Sequence, residues 1–181
     1  MATLYVFITG PSGSGKSQLL YSLGDPDDFD TDEERGIEIR HLTIDDTLDV
    51  YVFCSREATR FDALMEIPRE DLLGHIVTVD STDSDSWGEA QMMMGNCRAY
   101  ALLPTVIAAN KQDLPGAFTP EQVGAALGME SMVSVQPCVA TDPESAQNIL
   151  LHLLYSVDHE IDRLDALIAE IERLVAEGGE N

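Results

Sequence analysis

Leu4-Tyr-Val-Phe-Ile-Thr-Gly-Pro-Ser-Gly-Ser-Gly-Lys-Ser17 is the stretch that decides the fold. Its first six residues are apolar, β-branched or aromatic and stop at Gly10 and Pro11, which reads as a buried strand. The next eight, Gly10 to Ser17, match GxxxxGK[ST], and the spacing predicts a helix from Ser17 to Leu23. Strand, loop and helix in that order make a phosphate cradle, because glycines let successive backbone N–H groups converge on one anion. Lys16 would neutralise the terminal phosphates and the Ser17 hydroxyl would coordinate Mg²⁺. This implies a nucleoside di- or triphosphate site without naming its base.

The base is addressed further along. Asn110-Lys-Gln-Asp113 directly follows the predicted strand Pro104 to Ala109, where a parallel sheet presents its carboxyl ends to ligands. The Asp113 carboxylate can accept N1–H and N2–H₂ of guanine together, an arrangement that adenine lacks, so ATP would leave a buried charge unpaired. The Lys111 stem can cover the face of the base, and Asn110 can tie this loop to the phosphate loop.

Between the two motifs, Gly36 to Ile44 and Leu48 to Phe53 alternate with period two around Asp45-Asp-Thr47, predicting a hairpin with one half-solvated edge strand. Gly24 to Arg35 holds seven acids and Pro26 and reads as an exposed loop. Helical spacing returns loosely from Phe61 to Leu73. His75 to Val79 reads as a buried strand, and Ser84 to Tyr100 as a helix whose Met cluster fills core. Pro120 to Leu127 is a short helix capped by Thr119, and Met132 to Val135 another strand. The fold expected is α/β, a mostly parallel six-stranded sheet with helices on both faces and an extended C-terminal helix.

That last helix is predicted from Glu144 to Glu177. Apolar residues at 150, 154, 157, 161, 164, 168, 171 and 175 keep heptad spacing. Residues 1–157 form the nucleotide-binding domain in this reading, and 178–181 a flexible tail. Residues 158–177 are the extension, ~30 Å long at 1.5 Å per residue. An isolated helix would leave the stripe wet, so it either pairs with another chain, as in a dimer, or folds back on its own domain.

The sequence resembles the Ras-like small GTPases, the Arf branch most closely, from Leu4 to about Val157. The motifs that carry the likeness are the phosphate loop, Val79-Asp-Ser-Thr-Asp83, Ala109-Asn-Lys-Gln-Asp-Leu-Pro-Gly116 and Cys138-Val-Ala-Thr141. It also resembles the prokaryotic MglA-related branch, whose members often work with roadblock-type regulatory partners. The resemblance implies a Ras-like G domain with GTP or GDP and Mg²⁺ as cofactors. The binding residues it implies are Gly10, Gly13, Ser14, Gly15, Lys16, Ser17, Gln18, Asn110, Lys111, Asp113, Val139 and Ala140, with the Ala140 N–H on the guanine oxygen. Ser17 and Thr31 would be the metal ligands.

The departures are informative. Family members carry DxxGQ after the third strand, for the metal, the γ-phosphate and the attacking water. Here Cys54-Ser-Arg-Glu-Ala58 follows Val50 to Phe53. The expected activity is slow or partner-dependent GTP hydrolysis, with no catalytic residue assigned. Two alternatives stand beside it: a non-hydrolysing interaction module and an ATP-dependent P-loop kinase, the latter leaving Asn110 to Asp113 unexplained.

Composition bounds the partners. The chain has 181 residues, 33 acids against 10 Lys and Arg, a net charge of −23 and 44% hydrophobic content, which suits one soluble domain. So acidic a surface excludes direct nucleic-acid binding, which needs a basic footprint, and favours neutral or basic partners. The lysines are two, Lys16 and Lys111, each inside a motif. Cys54, Cys97 and Cys138 form no CxxC pair, which fits a reducing cytoplasm. No apolar run of 18 residues exists and no signal or lipidation motif is evident, so neither a membrane span nor an anchor is expected.

Overall fold

Strand β1 (Ala2–Thr9) is central because both of its faces are apolar. Val6 and Ile8 are fully buried on one side and Phe7 on the other, so the sheet must be covered twice. The computed structural model describes residues 2–45, 48–56, 65, 67–129 and 133–159. In these, β1 leads through the glycine loop into α1 (Lys16–Ser22), followed by β2 (Phe29–Asp32), β3 (Ile37–Asp45) and β4 (Leu48–Ser55). Then come β5 (Leu72–Asp80), α2 (Trp87–Tyr100), β6 (Thr105–Asn110), α3 (Pro120–Leu127), β7 (Ser134–Pro137) and α4, helical over 143–159.

The sheet order is β2-β3-β4-β1-β5-β6-β7. β2, β3 and β4 pair antiparallel, and all other pairings are parallel. On one face, Leu19, Leu20 and Leu23 of α1 and Ala146, Ile149 and Leu153 of α4 pack on Val6, Ile8 and Val52. On the other, Trp87, Ala90 and Met94 of α2 and Val123 and Leu127 of α3 pack on Val77, Val79, Ile107 and Ala109. Met93 and Met94 are core, as their spacing predicts, while Met92 is exposed. α3 begins with a capping box between Thr119 and Gln122, with Pro120 in its first turn, and stops at Gly128 with φ 66°.

The mostly parallel α/β sheet is present with one strand more than predicted. The acid-rich segment 24–35, read as an exposed loop, contains a 3-10 turn (Pro26–Asp28) and β2, paired from Phe29 with Arg40 to Asp32 with Ile37. β2 takes its hydrogen bonds from the outer edge of β3, a partner that local composition does not announce. The same contact corrects the edge-strand expectation. Glu38 and Arg40, the charged positions of the alternation, are buried, Arg40 completely.

Arg40 closes the C-terminal end of α1. Its Nε donates to Leu20 O at 3.2 Å, and its other guanidinium nitrogens donate to the carbonyls of Tyr21 and Asp25. The guanidinium carbon also lies 5.7 Å from the Tyr21 ring centre and 5.4 Å from that of Phe29. The last carbonyls of a helix have no partner within it, and one buried fork supplies several donors together.

Several boundaries move: β1 begins at Ala2 rather than Leu4, and α2 at Trp87 rather than Ser84, after a 3-10 turn (Ser84–Ser86). β5 begins at Leu72 rather than His75, because a 3-10 turn (Arg69–Asp71) after Pro68 delivers the chain to the sheet early. β7 spans Ser134–Pro137 rather than 132–135. The helical reading of 61–73 is not met over 69–73, since Arg69–Asp71 is a 3-10 turn and Leu72 already belongs to β5; 61–64 and 66 lie outside the described residues. So do 160–181, which carry the heptad extension and tail. Among the described residues no helix is long and apolar enough to cross a membrane.

Candidate functional site

The glycines of the phosphate loop are required by geometry. Gly10, Gly13 and Gly15 have φ of 151°, 77° and 100°. A Cβ on Gly10 would lie 2.3 Å from the Thr78 carbonyl oxygen, and one on Gly15 would lie 2.1 Å from Asn110 Nδ2. The loop is pinned beneath by β5. Thr78 donates to Thr9 O at 3.1 Å, which commits its proton, so Ser14 is the donor in the 2.7 Å contact between the two hydroxyls. Thr9 also meets the buried His75 Nε2 at 2.7 Å.

Lys16 folds back over this loop, donating to Gly10 O at 2.9 Å and Pro11 O at 3.0 Å. Burial lowers its pKa, opposed by the charges of Cys54, Glu89 and Glu38. An ammonium held against backbone carbonyls is available to an anion. Ser17 and Gln18 follow on the exposed side of α1, where Gln18 donates to Ser22 Oγ at 3.1 Å.

Asn110 joins the two motifs. Its Nδ2 donates to Ser14 O at 2.8 Å, and its Oδ1 accepts from Ala140 N at 2.8 Å. One buried amide therefore binds the phosphate loop, the end of β6 and the loop after β7 into a single body. The Ala140 N–H, expected on a guanine oxygen, is committed here to Asn110. Val139 N donates to Ser145 Oγ at 2.9 Å, and Gln112 N to Cys138 O at 3.2 Å.

Lys111 has φ 66°, the left-handed region that side chains seldom adopt. Its ammonium is fixed by Asp80 Oδ2. Burial raises the Asp80 pKa, but Lys111 and the Thr82 hydroxyl and amide outweigh it and hold the carboxyl below its ordinary value. Trp87 Nε1 donates to Asp80 O at 2.8 Å, so the β5 end is fixed as well. Asp113 sits exposed in the turn after β6 and has no hydrogen-bond partner among the described residues.

The metal side differs from what the resemblance implies. Thr31 is not in a loop but in β2, directly opposite Glu38, which is itself opposite Cys54 on β4. Burial, then the charge and hydrogen bond of Glu38, push the Cys54 thiol up to about 12, against a pull from Lys16 and from a Ser17 hydrogen bond. A protonated thiol is a poor donor for a hard cation, whereas the hydroxyls of Ser17 and Thr31 and the Glu38 carboxylate suit one. Among the described residues no three His, Cys, Asp or Glu gather to hold a metal alone, so a cation here must share phosphate oxygens.

A concavity of about 820 Å³ lies elsewhere. Tyr5, Ile37, Ile39, Tyr51 and Phe53 line it on the sheet face away from α1, together with the acids Asp27, Asp28 and Asp30 and the basic Arg35 and His41. Its lining is mainly aromatic and aliphatic, whereas the glycine loop carries the phosphate motif and Lys16, so the phosphate chemistry is assigned to that loop. Glu38, Thr78 and the Asp80 to Lys111 pair escaped the sequence reading. Only the period-two pattern placed Glu38 with Arg40 on one face, and nothing in it marked that face as buried.

The model of the ADP-ribosylation factor family matches residues 3–157. ADP-ribosylation factor-like protein 14 of Mus musculus is 27% identical over 150 residues, covering 77% of this chain and 78% of that protein.

Proposed function

The chain belongs to the ADP-ribosylation factor family of GTP-binding small GTPases, and on that premise we propose a guanine-nucleotide switch with slow or partner-dependent hydrolysis. The observation that carries the reading is the Asn110 bridge, which makes the phosphate loop and the base loop one rigid body. Lys16 and the loop amides would take the phosphates, Asp113 the guanine edge and the Lys111 stem the purine face. Mg²⁺, when bound, would offset charge on the β- and γ-phosphates.

The hydrolytic side is weak by construction. Cys54, Glu57 and Ala58 stand where the resemblance expects the metal carboxylate, the γ-phosphate glycine and the water-orienting glutamine. Arg56 is held by Glu33 in two contacts of 2.9 and 3.1 Å and by Glu38 at 3.1 Å, so it is not aimed at a phosphate. Unassisted hydrolysis should be about 10⁻⁴ s⁻¹ or slower. Binding of a fluorescent guanine nucleotide with ATP as competitor, followed by single-turnover hydrolysis, tests this. Displacement by ATP at equal concentration, or turnover near one per second without a partner, would overturn it. Tight guanine binding with no hydrolysis at all would favour the second reading, a non-hydrolysing interaction module.

We also propose that the heptad stripe from Ile161 to Val175 recruits a regulatory partner, of roadblock type or a second copy of this chain. The charge of −23 favours neutral or basic surfaces. Light scattering of the full chain before and after Leu164→Asp with Ile168→Asp checks the self-association arm.

A further inference from the structure

Three side chains lie in one cross-strand row on the face that carries α1. Thr31 of β2 is opposite Glu38 of β3, which is opposite Cys54 of β4, which in turn neighbours Ile8 of β1 two residues before the glycine loop. Directly paired residues project to the same side, with strands about 4.8 Å apart. Cys54 packs in the α1 core and fixes which side that is. In the Arf-like pattern an acid occupies the position of Cys54, and here it is missing. Yet the carboxylate has not left the neighbourhood: the Cys54 Sγ donates to Glu38 Oε2 at 3.5 Å, and the Ser17 hydroxyl is close enough to pull the same thiol's pKa down. Glu38 is 8% exposed, and its charge acts on both Lys16 and Cys54.

We propose that Glu38 is the metal-site carboxylate of this protein, supplied from β3 in place of the acid absent at 54, with the hydroxyls of Ser17 and Thr31 on either side of it. A buried carboxylate needs a counter-charge. The structure supplies one in Arg56, whose Nε lies 3.1 Å from Glu38 Oε1 while its outer nitrogens hold Glu33. Arg56 is thus the stand-in for the cation: a divalent ion beside Ser17 takes over Glu38, and Arg56 remains with Glu33. The strand geometry explains why the acid can be moved. Positions 38 and 54 are a direct pair, so a longer side chain on β3 reaches the space that a shorter one on β4 would fill.

This rests on the guanine-nucleotide reading, and the test separates the two. Full-length protein is loaded with GDP and titrated with Mn²⁺ by electron paramagnetic resonance, and GDP affinity is measured separately in EDTA. Glu38→Gln should weaken Mn²⁺ by about ten- to a hundredfold while leaving GDP affinity in EDTA unchanged. Cys54→Asp added to Glu38→Gln should restore most of the loss. Arg56→Gln should keep or tighten Mn²⁺ binding. Mn²⁺ affinity untouched by Glu38→Gln overturns the assignment. So does an equal loss in Arg56→Gln, which would mark Glu38 as half of a structural ion pair. Wild-type protein that holds no GDP in EDTA defeats the nucleotide reading, and the Glu38 assignment with it.

Discussion

Replacing Gly15 by Ala strikes the joint between the two loops. Gly15 sits at φ 100°, where a side chain costs about 1–3 kcal/mol. The added Cβ would lie 2.1 Å from Asn110 Nδ2, so Asn110 must swing away and lose both of its 2.8 Å bonds. At about 1 kcal/mol each, those bonds add about 2 kcal/mol, for a total destabilisation of about 3–5 kcal/mol. The bridge is what holds phosphate and base loops in register, so its share should appear as an affinity loss of about thirtyfold. Urea denaturation of nucleotide-free protein reads the first number, and titration with a fluorescent guanine nucleotide reads the second. Asn110→Ala alone should reproduce the bridge loss without the strain. Because it also vacates the space that the new Cβ needs, the double mutant should be less destabilised than the sum by about 1 kcal/mol or more. Strict additivity, or a Gly15→Ala protein with wild-type stability and affinity, would refute the reasoning.

Arg40→Met keeps the bulk but leaves the carbonyls of Leu20, Tyr21 and Asp25 without their donor, so it should lower unfolding free energy by about 3 kcal/mol or more. Amide hydrogen exchange should show the loss spreading to β2. His75 is fully buried and its pKa is lowered by burial to about 3, below its ordinary 6.5. The unfolded chain therefore binds the extra proton first, and the contribution of this group is complete above pH 6.5 and lost as pH falls toward 3. His75→Asn should remove about 1.4 kcal/mol per pH unit of that slope between pH 6 and 4, read as the difference between two denaturation series. Asp113→Ala should abolish the preference for guanine over adenine nucleotides by about a hundredfold in a competition titration. Thr119→Ala breaks the capping box of α3 and should cost about 1 kcal/mol, seen as a Tm lowered by a few degrees.

Much of this was legible from residues alone because the chemistry is local. The run from Leu4 to Ser17 specifies a strand, a turn that only glycines tolerate, and a lysine at fixed offset; none of these depends on distant partners. Asn110 to Asp113 follows a strand, and the end of a parallel strand is where ligands are met. Thr119 and Pro120 announced α3 through caps a few residues apart. Alternation over 36–53 likewise located β3 and β4.

Tertiary structure decided what alternation leaves open, namely which face of a strand is buried and by what. Glu38 and Arg40 carry charge, and local reasoning assigns charge to water. Here the α1 carbonyls supply acceptors to Arg40, Arg56 at the end of β4 pairs with Glu38 while Lys16 feels its charge, and burial becomes tolerable because each charge has a partner far away in sequence. β2 formed for a related reason: seven acids conceal a strand whose hydrogen bonds are completed by β3. Local sequence encodes backbone preference and spacing, but a buried polar group is stable only through partners that the folded chain brings to it.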